Sequence, residues 1–384
     1  MKPPTDIECE VAIAGAGPVG LFLGCRLAQT GVSCVAIEKN SRRSQHSRAV
    51  GIHPPSIERL AAMGLADRFL ANGTAVQIGR VFNERTTLGT LLLTTCPLPF
   101  NFVLTIPQHE TERILEECLR RLSPAALQRG WTLGRLASGR DRVDLTARNN
   151  AGEVMNVRAQ FVVGCDGKSS FVRETAGIAF PGVHFPRGYA MGDFPDRTAW
   201  DAEARIWLCR DGLVESFPLP GQLRRWVISL PRELPQPQLE DFQNLLKQRT
   251  GVVLETAPRH GLSPFTVQKH LAAQFVNGRI ALAGDAAHVM PPFGGLGMNT
   301  GWFDAWDLAD ALSRIIRHHP SPQAVLADYG RTARQRAQRS IRRAVLNLSI
   351  GGPVHRPTLR NGLVWTCLHL PMQKFLARWF TMRA

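Results

Sequence analysis

A glycine-rich turn between the first predicted strand and the first predicted helix constrains this sequence most. Residues 7–14 are rich in valine, isoleucine and alanine, and the string GAGPVG follows directly at positions 15–20. In this setting Gly15 permits a tight turn, Gly17 lets the backbone approach a pyrophosphate, and Gly20 lets helix and strand pack closely. Glu38 ends the next predicted strand, 23 residues after Gly15, where a carboxylate commonly binds adenosine ribose hydroxyls. The pattern predicts a dinucleotide-binding βαβ unit. Glu38 favours FAD or NAD over NADP, because NADP carries a 2′-phosphate.

A second glycine-rich stretch, residues 278–301, combines a strand, a carboxylate, a loop and the start of a helix. An apolar run at 279–283 leads straight into Gly284 and Asp285, which places a carboxylate just past the carboxyl end of a strand. Two prolines and three glycines then form a loop that leads into a helix predicted to begin near Asn299. An aspartate accepts hydrogen bonds from hydroxyl groups, and the free N–H groups of a helix N-terminus attract negative charge. The stretch therefore predicts a site for a polar, partly anionic ligand.

A third motif, Asp166-Gly167, follows the apolar run at 161–163. On its own, Asp-Gly indicates only a turn. In the order G-x-G-x-x-G, Asp-Gly, Gly-Asp, however, the three motifs resemble those of the FAD-dependent aromatic hydroxylases. These are the group A flavoprotein monooxygenases, which include para-hydroxybenzoate hydroxylase and phenol hydroxylase. The resemblance covers roughly residues 7–330 and is to a short form, without the thioredoxin-like extension that phenol-hydroxylase-type relatives carry.

The resemblance implies an FAD site assembled from separate parts of the chain. It implies that Asp285 binds the ribityl chain, that Gln108 does so from a second segment, and that Arg48 contacts the pyrophosphate region. The cofactor-binding residues predicted in this way are Gly15, Gly17, Gly20, Glu38, Arg48, Gln108, Asp166, Gly167, Gly284, Asp285, Gly297, Met298 and Asn299. Next to the reacting part of the flavin, the loop residues expected to take part in catalysis are Pro292, Gly295, Leu296 and Gly297. The backbone N–H groups of Gly295 to Met298 and the following helix dipole would face the anionic reduced flavin, and Pro292 would rigidify the wall beside C4a.

The reaction that the resemblance implies has three phases. NADH or NADPH reduces FAD, dioxygen adds at flavin C4a to give a hydroperoxide, and the distal oxygen passes to an electron-rich aromatic ring. The nicotinamide cofactor is expected to bind without a Rossmann domain of its own, because only one G-x-G-x-x-G has the strand–helix context. The alternative is an FAD-dependent epoxidase or reductase acting on a hydrophobic isoprenoid or quinone-type substrate. A flavin halogenase is disfavoured, since the string W-x-W-x-I-P is absent from the sequence.

The predicted fold is α/β, with a Rossmann-type FAD-binding domain interleaved with a mainly antiparallel β-sheet substrate domain, followed by C-terminal helices. The three motifs lie far apart in the chain, so the FAD-binding domain is expected to be discontinuous, at 1–75, 101–180 and 271–330. The substrate domain is expected at 76–100 and 181–270, and the C-terminal helical region at 331–384. Strand-like runs at 205–209, 214–219 and 225–230 belong to the substrate domain, but they follow no motif that identifies a substrate.

Composition narrows the classes of function that remain possible for this protein. The formal net charge of +15 permits nucleic-acid binding, contact with an anionic membrane, or capture of anionic ligands. Nucleic-acid binding ranks far behind, because the arginines are not interleaved with aromatic residues. Eight scattered cysteines without a C-x-x-C argue against disulfides and a metal site, and for a reducing, cytoplasmic location. The oligomeric state stays open.

Some side chains permit two interpretations. His288 and His53 can be acid–base groups, but a structural role is favoured for both. In the helix after the glycine loop, Asp304, Asp307 and Asp310 are predicted on the side opposite the apolar positions. Six arginines at 331–343 form either a solvated helix face or, with the aromatic residues of 353–384, a peripheral membrane contact.

Overall fold

A computed structural model describes residues 5–44, 49–231, 237–369 and 372–383. The strands within these ranges are, in chain order, β1 Thr5–Ala14, β2 Cys34–Glu38, β3 Gly51–Ile52, β4 Thr74–Val76, β5 Ile78–Phe82, β6 Thr87–Leu92, β7 Val103–Thr105, β8 Leu127–Arg129, β9 Trp131–Ser138, β10 Val143–Asn149, β11 Val154–Gly164, β12 Gly182–Pro195, β13 Glu203–Cys209, β14 Gly212–Leu219, β15 Leu223–Ser229, β16 Ser263–Leu271, β17 Val276–Asn277, β18 Ile280–Leu282 and β19 His288–Val289. The helices are α1 Pro18–Gln29, α2 Pro54–Ala62, α3 Ala66–Ala71, α4 Gln108–Leu122, α5 Phe171–Thr175, α6 Leu239–Thr250, α7 Leu296–His318, α8 Pro322–Gly351, α9 Pro357–His369 and α10 Gln373–Phe380.

The first sheet contains the strands that carry the three motifs. Its order is β17-β18-β11-β1-β2-β8, and β18, β11, β1, β2 and β8 pair in parallel. The carboxyl-terminal part of β1, residues 11–14, is wholly apolar, and Val11 and Ile13 are fully buried there, as is typical of a parallel strand covered on both faces. Because the strands run in parallel, their carboxyl ends lie at one edge of the sheet. Ala14 pairs with both Ile37 and Gly164, and Gly164 pairs with Leu282, so the residues after each of these strands come together.

The second sheet has the order β19-β16-β12-β15-β14-β13-β5-β6, and all its pairings are antiparallel except β13–β5. Helix α6 covers one face, where Phe242 and Leu246 pack with Phe194, Trp226 and Ile228. On the opposite face, a cluster of apolar side chains contacts the loop before α7; it consists of Tyr189, Leu213, Val267 and Phe293. The small sheet β3-β7-β4 lies beside these elements. The predicted fold class, an α/β Rossmann-type domain interleaved with a mainly antiparallel sheet and followed by helices, is confirmed.

Helix α7 begins earlier than predicted. It begins at Leu296 rather than near Asn299, because Gly295 adopts the left-handed conformation and ends the loop earlier. Of the three aspartates predicted opposite the apolar positions, Asp310 is exposed, Asp307 is partly exposed and Asp304 is fully buried. Helix α7 packs on both α1 and α8, so it buries more than its apolar stripe.

The arginines of 331–343 lie on α8, and several are engaged within the protein. Arg334 donates to the carbonyl of Ala272 at 3.0 Å, and Arg343 lies 4.4 Å from the ring centroid of Trp379. Arg336 contacts the carboxylates of Asp304 and Asp307. The prediction of a uniformly solvated arginine face is therefore wrong for these three side chains, because each has a partner from another segment.

Candidate functional site

The turn between β1 and α1 shows why glycine occupies its positions. Gly15 has φ +93°, and a Cβ there would lie 2.5 Å from the carbonyl oxygen of Cys165. A Cβ on Gly20 would lie 2.0 Å from the carbonyl oxygen of Gly15. Around Gly17, by contrast, no atom lies within 4 Å of the Cβ position. Packing therefore requires Gly15 and Gly20, whereas Gly17 leaves open space at the N-terminus of α1, where a phosphate group would bind.

Glu38 is held beside this turn by three hydrogen bonds. Its Oε2 accepts from the backbone N–H of Ala16 at 2.9 Å. Its Oε1 accepts from the backbone N–H of Asn40 at 2.9 Å and from the side-chain amide of Asn40 at 2.7 Å. A carboxylate has about four acceptor positions, so Glu38 can still accept from ribose hydroxyls.

Asp166 and Asp285 follow the two neighbouring strands. Asp166 Oδ2 accepts from the N–H of Val172 at 3.1 Å, whereas the buried Oδ1 has no partner among the described residues. Burial raises the pKa of the Asp166 carboxyl above its ordinary range. Asp285 is exposed at the end of β18, although Gly284 and Ala286 on either side are buried. The unpaired oxygen and the outward carboxylate fit a ligand that supplies hydroxyl or amide donors.

Gln108 begins α4 and holds the preceding loop. Its Oε1 accepts from the N–H of Ala49 at 3.2 Å, and its Nε2 donates to Glu112 Oε1 at 2.9 Å. Burial raises the pKa of the Glu112 carboxyl. The predicted contact of Arg48 lies outside the described residues. Gln108 thus contacts Ala49, in the segment that leads to β3.

The glycine loop before α7 is fastened to β3 by a side chain that sequence reasoning assigned to the cofactor. Asn299 is fully buried; its Nδ2 donates to the carbonyls of Gly51 at 2.9 Å and Gly295 at 2.7 Å, and its Oδ1 accepts from the N–H of His53 at 2.9 Å. His53 Nε2 lies 2.8 Å from the carbonyl oxygen of Gly294. Burial lowers the pKa of His53 to about 4, so the ring is neutral and donates to that carbonyl. The contacts that involve His53 and Gly51 join residues 241–248 positions apart, and no spacing in the sequence indicates them.

The fastened loop presents the predicted catalytic positions. Pro292 is exposed, Leu296 is buried, and Gly295, Gly297 and Met298 are partly exposed. The first N–H groups of α7 have no acceptor within the helix, as in any helix N-terminus. Partly exposed N–H donors at this end of α7 suit the negatively charged edge of a reduced flavin.

His288 has a structural environment. It is fully buried, with Nε2 2.6 Å from Asp304 Oδ2, and its ring stacks on Phe275 at 6.0 Å between centroids. The same Asp304 oxygen accepts from the N–H of Gly284 at 3.3 Å. The pair therefore supports the Gly284-Asp285 turn from behind. Both side chains are fully buried, whereas Asp285 is exposed.

Two further searches of the described ranges bear on the class of site. They contain no group of three or more histidine, cysteine, aspartate or glutamate residues able to hold a metal ion. Among their helices, none has both the length and the apolar character needed to cross a membrane.

Comparison with known proteins agrees with this geometry. The family model described as FAD binding domain matches residues 8–344. The chain is 29% identical over 384 residues to 3-(3-hydroxy-phenyl)propionate/3-hydroxycinnamic acid hydroxylase of Escherichia coli (strain SMS-3-5 / SECEC), which covers 97% of this chain and 68% of the relative. It is 28% identical to OxyS anhydrotetracycline hydroxylase from Streptomyces rimosus, with a TM-score of 0.80 over 98% of this chain and 76% of the other. The fold also matches p-nitrophenol 4-monooxygenase PnpA from Pseudomonas putida DLL-E4, with a TM-score of 0.88 over 99% of both chains at 22% identity. The chain therefore belongs to the FAD-binding-domain family of aromatic hydroxylases and monooxygenases.

Proposed function

We propose that this protein is an FAD-dependent monooxygenase that uses NADH or NADPH and O2 to hydroxylate an electron-rich aromatic substrate. The observation that carries the proposal is the meeting of the Gly15–Gly20 turn, Asp166, Asp285 and the glycine loop at one edge of the first sheet. The second sheet approaches the same loop, since Phe293 packs with Tyr189 and Leu213. A flavin held along that edge would have its reacting ring beside the second sheet, where a substrate can bind.

Each part of the site has a separate task in this proposal. Bound FAD supplies electron transfer from the nicotinamide cofactor and the activation of dioxygen. Gly17 and the N-terminus of α1 accommodate the pyrophosphate, Glu38 accepts from the adenosine ribose, and Asp285 accepts from the ribityl hydroxyls. Asn299 and His53 fix the loop, so that the N–H groups from Gly295 to Met298 keep one orientation. Fixed donors stabilise developing negative charge without having to reorganise.

The nicotinamide cofactor has no second glycine-rich turn to bind. Lys168 is exposed, directly after the Asp166-Gly167 turn, and we infer that it contacts the cofactor phosphates. An exposed cation attracts phosphate at long range and leaves the cofactor free to dissociate after reduction.

An oxygen-labelling experiment tests the proposed reaction. The FAD-loaded protein is given NADH or NADPH under 18O2 with a panel of phenols, anilines, quinolones and isoprenoid quinols, and products are analysed by mass spectrometry. We expect one labelled oxygen atom in an aromatic product and faster flavin reduction with the true substrate. Reduction by both nicotinamides without label in any product would overturn the proposal.

A second candidate is an FAD-dependent epoxidase or reductase that takes a hydrophobic isoprenoid or quinone-type substrate from a membrane surface. It is favoured by exposed apolar side chains on α9 and α10, namely Leu359, Leu363, Trp365 and Phe375, which are 51–68% exposed. Arg339 and Arg342 are also exposed on α8. Sedimentation with anionic and with neutral vesicles distinguishes the candidates. The second requires vesicle binding that the substitutions Leu359→Ser and Leu363→Ser weaken, whereas the first does not.

A further inference from the structure

Glu215, in the middle of β14, lies on the face of the second sheet that is turned away from α6. Side chains alternate between the two faces of a strand. Val214 packs in the cluster beneath α6, whereas Leu213 packs with Tyr189 and Phe293 on the opposite face. Glu215 is two residues beyond Leu213 and therefore shares its face.

Strand β14 contacts the flavin-binding side at both of its ends. Near its start, Leu213 packs with Phe293 of the glycine loop. Near its end, the carbonyl of Pro218 accepts from Thr105 Oγ1 at 2.6 Å. Thr105 pairs with Gly51, the residue whose carbonyl accepts from Asn299. Glu215 is midway between these contacts, so it faces the space between the sheet and the glycine loop.

The surroundings of Glu215 on this face are mainly apolar. Its neighbours on the adjacent strands are Ile206 and Val227, and Val227 in turn pairs with Met191. Arg225, on the same face, forms an ion pair with Asp193 at 2.6 Å. The positive charge of Arg225, the arginine nearest to Glu215 on this face in the register of strands, is therefore already balanced by the Asp193 carboxylate.

Two polar groups on this face have no protein partner. No described residue is recorded within hydrogen-bond or ion-pair distance of the Glu215 carboxyl, and burial alone raises its pKa to about 8. The hydroxyl of Tyr189 is buried and also has no partner among the described residues. Burial raises the pKa of Tyr189 to about 12, and Glu215 adds to that shift through its charge, while Arg187 and Arg249 oppose it. Glu215 is partly exposed and Tyr189 is buried. A buried hydroxyl is nearly always hydrogen-bonded, so a Tyr189 hydroxyl without a described partner, on the same face as the Glu215 carboxyl, indicates a ligand.

We propose that Glu215, assisted by Tyr189, binds the hydroxyl or amino substituent of the aromatic substrate and disfavours substrates that carry a carboxylate. The proposal rests on the proposed function and names its substrate class. A carboxyl oxygen among apolar neighbours accepts a hydrogen bond in either protonation state, so it suits a neutral phenol or an amine, either of which can donate. A substrate carboxylate bound beside Glu215 would be taken out of water next to an acidic side chain, and Arg225 on the same face is already paired with Asp193, so such binding is unfavourable. The preference therefore differs from that suggested by the name of the Escherichia coli relative, whose hydroxyphenylpropionate carries such a group.

The test is a binding measurement on the FAD-loaded protein, without NAD(P)H. Calorimetry and the change in flavin absorption give Kd for 3-(3-hydroxyphenyl)propionate and for its primary amide, which has the same shape and no charge. We expect the amide to bind at least about tenfold more tightly to the unaltered protein. Glu215→Gln keeps an acceptor oxygen and removes the acidic group, so it should bring the two Kd values closer together. Glu215→Leu removes the acceptor and should weaken amide binding by about tenfold.

Glu240→Gln is the matched control, because Glu240 is exposed on α6, which covers the other face of the sheet. FAD content and the thermal midpoint of each variant establish that it is folded. Equal Kd values for the two ligands, no binding of either ligand, or unchanged values in Glu215→Gln would overturn the proposal. If the two ligands bind with different Kd values but no labelled product forms, the role of Glu215 is upheld and the monooxygenase reaction is refuted. If labelled product forms but Glu215→Gln leaves both Kd values unchanged, the monooxygenase reaction is upheld and the role of Glu215 is refuted.

Discussion

Three carboxylates at the edge of the first sheet differ in how their oxygens are hydrogen-bonded or exposed. Glu38 is fixed by donors from Ala16 and Asn40, and Asp166 has one oxygen fixed and one without a described partner. Asp285 is exposed beside a buried turn. The residue types were predictable from sequence, because each follows a strand whose apolar run is plain. The sequence could not show which oxygen of each carboxylate already accepts a hydrogen bond, because the loop conformation determines where the donors lie.

The first prediction concerns Asp285. Asp285→Ala removes the carboxylate proposed to accept from the ribityl hydroxyls, and we expect FAD affinity to fall by the value of a charge-assisted hydrogen bond, about 1.5–3 kcal/mol. Equilibrium dialysis of FAD measures the change. Asp67→Ala, an exposed aspartate on α3, is the control and should leave affinity unchanged. Equal FAD affinity in both variants would refute the assignment.

The second prediction concerns the titration of His53. Burial lowers its pKa from 6.5 to about 4, so the folded protein keeps the ring neutral where the unfolded chain binds a proton. The folded state is therefore fully favoured above about pH 6.5 and loses up to about 3 kcal/mol as pH falls to about 4. His53→Phe cannot titrate. Its free energy of unfolding should fall less between pH 7 and pH 5, as urea unfolding would show.

His355→Phe is the matched control, because His355 is exposed. It should lose stability with acid as the unaltered protein does. The same loss in His53→Phe would mean that His53 is not the titrating group.

At the scale of elements, α7 shows how far periodicity predicts a helix. The apolar spacing predicted the helix itself, and the structure confirms it over Leu296–His318. The start was displaced because Gly295, in the left-handed conformation, ends the loop before the periodic residues begin. The position of Asp304 could not be predicted, because its burial depends on His288 and on Arg336 from α8. Amphipathic spacing identifies one buried face, whereas a helix enclosed by other helices has several.

The third prediction concerns the fastening of this helix to β3. Asn299→Ala removes three buried hydrogen bonds and leaves the N–H of His53 and the carbonyls of Gly51 and Gly295 without that partner. We expect a loss of about 3 kcal/mol in the free energy of unfolding, at about 1 kcal/mol for each bond. FAD affinity should fall with it, because the glycine loop loses its fixed orientation. Urea unfolding and FAD titration measure the two effects.

Asn101→Ala provides the comparison, since the side chain of Asn101 accepts an exposed hydrogen bond from Gln77 Nε2 at 3.3 Å. It should cost well under 1 kcal/mol. If Asn299→Ala were as mild as this control, the hydrogen bonds of Asn299 would not be holding the loop.

For the whole molecule, the sequence gives more detail about the proposed FAD-binding edge than about the proposed substrate side. The flavin edge depends on glycines and carboxylates at strand ends, and short motifs record these. The substrate side depends on which face of a sheet a side chain occupies, and Glu215 lies in a strand-like run with no motif around it. Its position became clear only from the pairing of β14 with β13 and β15 and from the cover that α6 gives the other face.

The last prediction concerns the net charge of +15. Arginines such as Arg336 and Arg224 are paired with aspartates inside the protein, so they contribute little to the external field. In the proposed reaction, exposed cations such as Lys168 would attract the phosphates of NADH or NADPH. At about 0.1 M salt the Debye length is about 10 Å, so added salt screens such exposed charges.

We expect the KM for the nicotinamide cofactor to rise with salt while kcat changes little, and Lys168→Gln to reduce that dependence of KM on salt. Lys374→Gln, an exposed lysine on α10, is the control and should retain it. A KM that is independent of salt in the unaltered protein would show that long-range attraction has no part in cofactor capture.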